Sequence, residues 1–125
     1  MSDLTTPMSG ATPEFIIYEN KDYEVLTWKD ILCTVCSIVH GIDENLFAEL
    51  VENNEIHKST SKKNYPKKDP IISDKNNLLG AAMEIKGSIY FSEGNISSDR
   101  VRFYVKQLLD IYGITDRFQI SVRSR

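Results

Sequence analysis

Three sets of side chains in this sequence have types and spacings that could do chemistry. Cys33 and Cys36 form a Cys-x-x-Cys pair, with His40 one helical turn further on. Thiolates and imidazoles at such spacing bind zinc tetrahedrally, although a fourth ligand, for instance His57, would have to come from afar. A redox pair needs its first thiol at a helix N-terminus, where the dipole lowers the thiol pKa. Thr27 starts the helix here, so Cys33 falls in the second turn. Both cysteines border an apolar stripe, and the expectation is packed, reduced thiols without metal. Glu84-Ile-Lys86, following Asp69-Pro70, invites comparison with a metal-dependent nuclease core. There an Asp and a Glu hold magnesium while a Lys polarises the attacking water. Asp and Pro stand in reversed order here, and the chain has no evident parallel-sheet crossover. No Gly-x-Ser-x-Gly turn and no glycine-rich phosphate loop occurs. The expectation is a non-enzymatic chain with no catalytic residues and no cofactor.

The third set is the stronger. Lys58, Lys62, Lys63, Lys67 and Lys68 lie within eleven residues, interleaved with Ser59, Thr60, Ser61, Asn64 and Tyr65. Lysines neutralise phosphates, and the small polar side chains donate further hydrogen bonds to a nucleic-acid backbone. A second polar cluster, Ser92–Ser98, runs into a helix carrying Arg100 and Arg102 near its start. The N-terminus of a helix offers amide N–H groups and a positive dipole end to a phosphate. Ser97 or Ser98 suits the cap, with Arg100 beside it. Asn64 or Asn95 is a candidate base reader, because an Asn amide pairs with adenine N6 and N7. The bland alternatives are a solvated lysine loop and a serine cap without ligand.

These groups must be held by a scaffold. Residues 1–13 are rich in Ser, Thr, Pro and Gly and read as a disordered leader, leaving 14–125 as a single domain. A hairpin is expected from Phe15–Tyr18 and Tyr23–Leu26, with 19–22 as its turn. Thr27 and Asp30 form a capping-box-like start for a helix through His40, with Trp28, Leu32, Val35 and Val39 on one face and Gly41 at its end. Asp43 caps a second helix bearing Leu46, Phe47, Leu50 and Val51. Ser73 suits the cap of one short helical turn, and 83–91 reads as two extended pieces bent at Lys86–Gly87. A third helix carries Val101, Tyr104, Val105, Leu108 and Ile111 and ends at Gly113. Phe118, Ile120 and Val122 alternate in a closing strand. The pattern predicts an α+β fold: a small, mostly antiparallel sheet packed against three helices.

Charge is divided along the chain. Residues 1–56 hold two lysines against eleven Asp and Glu, a net −9. Residues 57–125 hold thirteen Lys and Arg against seven acids, a net +6. A basic half attracts polyanions even in a slightly acidic protein, or the two halves neutralise each other by packing. No window approaches the roughly 18 consecutive apolar residues of a membrane span. The first fourteen residues lack the basic-then-apolar layout of a signal peptide, so the expected location is cytoplasmic.

Two segments, Tyr23–Val39 and Gly87–Ile114, resemble a small domain of restriction- and phage-defence-associated bacterial proteins. The shared features are a strand followed by Thr-Trp-Lys and a helix, and an aromatic strand, an Asn-containing turn, Ser and a Leu-rich helix. The second segment is also similar, more distantly, to the hemimethylated-DNA-binding C-terminal domain of SeqA. That resemblance implies DNA contacts from a loop at Ser59–Tyr65 and a turn at Gly94–Ser98. Lysines stand here where that loop has arginines, which removes bidentate recognition. The expected function is DNA binding: Lys58, Lys62, Lys63 and Lys67 on phosphates, Asn64 and Asn95 toward bases, and Ser97, Ser98 and Arg100 at the helix-start phosphate. The alternative is an accessory module contacting a protein partner through the acidic segment Asp43–Glu55.

Overall fold

The computed structural model describes residues 12–57, 70–75, 77 and 79–123. The chain opens with β1 (Thr12–Tyr18) and β2 (Lys21–Glu24), paired antiparallel with Tyr18 opposite Lys21. The turn is two residues, Glu19 and Asn20, with φ of 52° and 61°. Positive φ at both central positions makes the tight hairpin turn whose twist matches the strands. Lys21 and Asp22 therefore belong to the return strand, not to a four-residue turn. Thr12 and Pro13 belong to β1, which starts ahead of the boundary expected at residue 14; the rest of the expected leader lies outside the described residues.

Helix α1 (Trp28–Ile42) begins with the predicted capping box: Thr27 Oγ1 accepts the Asp30 N–H, and the Asp30 carboxylate accepts the Thr27 N–H. It runs through Gly41 instead of stopping there. Its end is set by Asp43, whose N–H donates to the Val39 carbonyl while its side chain accepts the Leu46 N–H and so caps α2 (Glu44–Glu52). One residue thus closes one helix and opens the next. Three short strands follow: β3 (Ile72–Ser73), β4 (Ala82–Glu84) and β5 (Phe91–Glu93). Ser73 lies in β3, and its hydroxyl accepts the Lys75 N–H across a turn rather than capping a helix. Helix α3 (Ser98–Tyr112) ends at Gly113 with φ 70°, and a 3-10 turn leads into β6 (Phe118–Arg123).

All strand pairs are antiparallel, in two three-stranded sheets ordered β2-β1-β6 and β3-β5-β4. Helix α1 is the shared element, touching α2, α3, β1 and β5. Its buried face, Ile31, Leu32, Val35, Cys36 and Val39, joins one continuous core with Val101, Tyr104, Val105 and Leu108 of α3 and with Ile16 and Ile120 of the first sheet. Each such side chain contributes about 1.5–3 kcal/mol of transfer free energy, so the helix faces hold two small sheets that would be marginal alone. Tyr18 of β1 stacks on its register partner Phe118 of β6, with ring centroids 4.4 Å apart. Among the described residues, no helix is long and apolar enough to cross a membrane.

Candidate nucleic-acid interface

The turn from β5 into α3 is organised by a carboxylate that the sequence presents as an ordinary acidic turn residue. Glu93 is wholly buried, at 0% exposure. Its Oε2 accepts the Gly80 N–H at 2.8 Å, and its Oε1 accepts the N–H groups of Ala81 and Asn95, both at 2.9 Å. Charge-assisted bonds to backbone amides are the strong kind; two of them fix this turn to the loop before β4, and the third closes the turn on itself. Two glycines make room. A Cβ on Gly80 would stand 3.3 Å from Glu93 Oε1, and one on Gly94 would stand 3.0 Å from the Ala81 carbonyl and the Met83 sulfur. Glu93 therefore points its charge inward, away from the surface on which Asn95 is exposed.

Helix α3 starts on this platform. Ser97 is the N-cap and accepts the Arg100 N–H at 3.4 Å. Ser98, the alternative cap, is the first helical residue and half-buried. Arg100 is exposed. Arg102 is not part of an exposed cationic pair with it: at 8% exposure it lies against the core and forms an ion pair with Asp99. Sequence alone suggests that Arg102 raises the surface potential and that Asp99 repels an anion. In the structure the two partly offset each other, and Arg100 sets the local charge.

The basic segment meets this turn at its root. His57 and Pro70 form an isolated antiparallel bridge, and the Ile71 N–H donates to the Ile56 carbonyl at 3.2 Å. One residue on, the Ile71 carbonyl accepts the Glu93 N–H at 2.8 Å, continuing the β3–β5 register that sets Ile72 opposite Ser92. Pro70 is one residue from that bond and Asn95 is two residues from it on the other strand. At about 3.8 Å per residue, Pro70 and Asn95 therefore lie at one end of the second sheet. Lys58, Lys62, Lys63, Asn64 and Lys67 themselves lie outside the described residues.

The other two sets are bound into the scaffold. Cys33 Sγ donates to the Glu84 carbonyl at 3.0 Å, and Ser37 Oγ donates to the Lys86 carbonyl at 2.9 Å, so α1 is stitched to the end of β4 and the turn after it. Burial raises the pKa of Cys33 and raises that of the fully enclosed Cys36 well above the ordinary thiol value. Both shifts oppose the thiolate that redox or zinc chemistry uses. His40 packs edge-on against Phe47 and Tyr90, with centroids at 5.3 and 5.9 Å. Glu84 and Lys86 line an open cleft of about 680 Å³ with Asp22, Glu24 and Asp30. No group of three or more His, Cys, Asp or Glu placed to hold a metal ion is found among the described residues. Asp69, the third member of the nuclease-like set, lies outside them.

No protein-family model matches this chain, and neither a curated protein nor a solved structure matches it.

Proposed function

We propose that the chain is a non-enzymatic DNA-binding module. The basic segment supplies phosphate contacts through Lys58, Lys62, Lys63 and Lys67. Ser97, Ser98 and Arg100 hold a further phosphate at the start of α3, with Asn64 and Asn95 turned to bases. The observation that carries this reading is the Glu93–Ile71 hydrogen bond. It joins Ile71, the second described residue after the basic segment, to the strand end from which the turn into α3 leaves. The inward-turned Glu93 adds support, since it takes acidic charge away from the surface, and Arg102 partly offsets the exposed Asp99. A bacterial, defence-associated and cytoplasmic setting belongs to the same proposal and rests on the sequence resemblance.

The test is an anisotropy titration with plain, hemimethylated and fully methylated DNA across a salt series. Binding should weaken steeply with salt, by about 0.9 in log–log slope for each phosphate contacted. Arg100→Ala should reduce that slope by about 1 and weaken all sequences alike. Absent or salt-insensitive binding at low ionic strength would sink the proposal. A second reading draws on α2, whose Glu44, Glu49 and Glu52 are all exposed. In that case the segment Asp43–Glu55 docks a basic protein surface, and reversing those three charges abolishes capture of the partner in nuclease-treated extract while leaving DNA binding intact.

A further inference from the structure

Helix α3 carries an exposed aromatic ring that neither its core-facing stripe nor its cap accounts for. Phe103 is 59% exposed, while its neighbours Val101, Arg102, Tyr104 and Val105 are all buried. It lies three residues beyond the exposed Arg100 and three before Lys106, whose amino group pairs with Asp110. The ring is braced, not loose: it makes an edge contact with the buried Tyr104 ring at 5.3 Å and 75°. From Ser98 to Phe103 is five residues, or about 8 Å along the axis. That is the reach from a phosphate at the helix start to a nearby base.

Resting on the DNA-binding reading, we propose that Phe103 is a stacking platform and that the preferred ligand is DNA with an unpaired strand. A ring one helical turn from an exposed arginine suits a planar base next to a phosphate, and stacking is open to a base only when it has left its pair. A protein partner fits this surface poorly. Among the described residues, the other large exposed apolar side chains are Phe15, Leu26, Ile42 and Ile89, and none belongs to α3. Helix α3 by itself therefore offers little of the contiguous apolar area that protein docking uses.

The experiment compares labelled single-stranded DNA with blunt duplex of the same sequence, at fixed salt, for the native chain, Phe103→Ala, Phe103→Trp and a variant with Lys58, Lys62, Lys63 and Lys67 changed to Glu. Circular dichroism confirms that each variant is folded. The native chain should bind the single strand more tightly. Phe103→Ala should lose about tenfold on the single strand, the scale of one base stack, and less than twofold on duplex, while Trp restores binding. Equal binding of both DNA forms, or full single-strand affinity in Phe103→Ala, would overturn the stacking role and leave the DNA-binding proposal standing. Failure of the native chain to bind either form would remove the DNA-binding reading and this inference with it, whereas full binding by the Lys→Glu variant would remove the lysines from the interface and leave the stacking role standing.

Discussion

Helices α1 and α3 start with the same chemistry and present opposite surfaces. Each has a hydroxyl N-cap accepting the N–H three residues on, at 3.4 Å in both. Each has an acid in its first turn. In α1 that acid, Asp30, turns back and accepts the N–H groups of Thr27 at 3.1 Å and Leu26 at 3.3 Å. The start of α1 is thus closed by its own carboxylate. In α3 the acid, Asp99, is drawn sideways to Arg102, and the acid just before the cap, Glu93, is buried beneath the turn. The start of α3 is left with Arg100 facing out. A cap signature therefore says where a helix begins and says nothing of whether that beginning is open to an anion. The surrounding partners of the acids decide it.

The sharpest way to break this contrast is Glu93→Ala. Three backbone N–H groups would lose a buried charged acceptor, and the expected cost is about 3 kcal/mol or more in urea unfolding. Glu93→Gln, which keeps one acceptor oxygen, should fall between that variant and the native chain. A smaller difference separates the two caps. Thr27→Ala should cost about 1–1.5 kcal/mol because it disrupts a reciprocal box, and Ser97→Ala about 0.5–1 kcal/mol because only one bond is lost. Equal costs would mean that the Asp30 back-bonds do not reinforce the Thr27 side-chain bond.

The smallest effect lies at the far end of α3. The Thr115 hydroxyl, and after it Lys106, hydrogen-bond Asp110 and lower its carboxyl pKa below the ordinary 3.8. A carboxyl with a depressed folded pKa contributes stability above its unfolded pKa and loses it as pH falls through the folded value. NMR titration should place the Asp110 midpoint below 3.8, and Asp110→Asn should flatten the acid limb of the stability curve only below about pH 4. Because the group is solvent-exposed, the change should be slight.

Much of the scaffold was legible because local chemistry specifies it. The apolar stripes of α1 and α3, the Asp43 cap and the left-handed Gly113 cap all follow from spacing and residue type. Gly41 misleads as a stop signal because Asp43 supplies both caps two residues later. The division into two sheets was not legible, since strands of two or three residues carry too few side chains to specify partners. The candidate site was half legible. Asn95, Ser97 and Arg100 are surface residues of a helix start, as their types suggest. Glu93 was missed, although the glycines at 80 and 94 are the trace it leaves in the sequence. Phe103 was missed as well, yet a helical wheel puts it off the stripe defined by Val101, Tyr104, Val105 and Leu108.

By itself, the sequence determined the three helices, the caps at Thr27, Asp43 and Gly113, the strands of the first hairpin and the separation of acidic from basic halves. These depend on interactions within a few residues, or on composition. Only the tertiary structure decided that His57 and Pro70 pair, that Glu93 turns inward to three amides, that Arg102 pairs with Asp99, and that Ile71 is bonded to Glu93 at the end of β5. The physical reason is the same in each case. A charge acts through its partner and its burial, and both come from chain segments that the core brings together across long stretches of sequence.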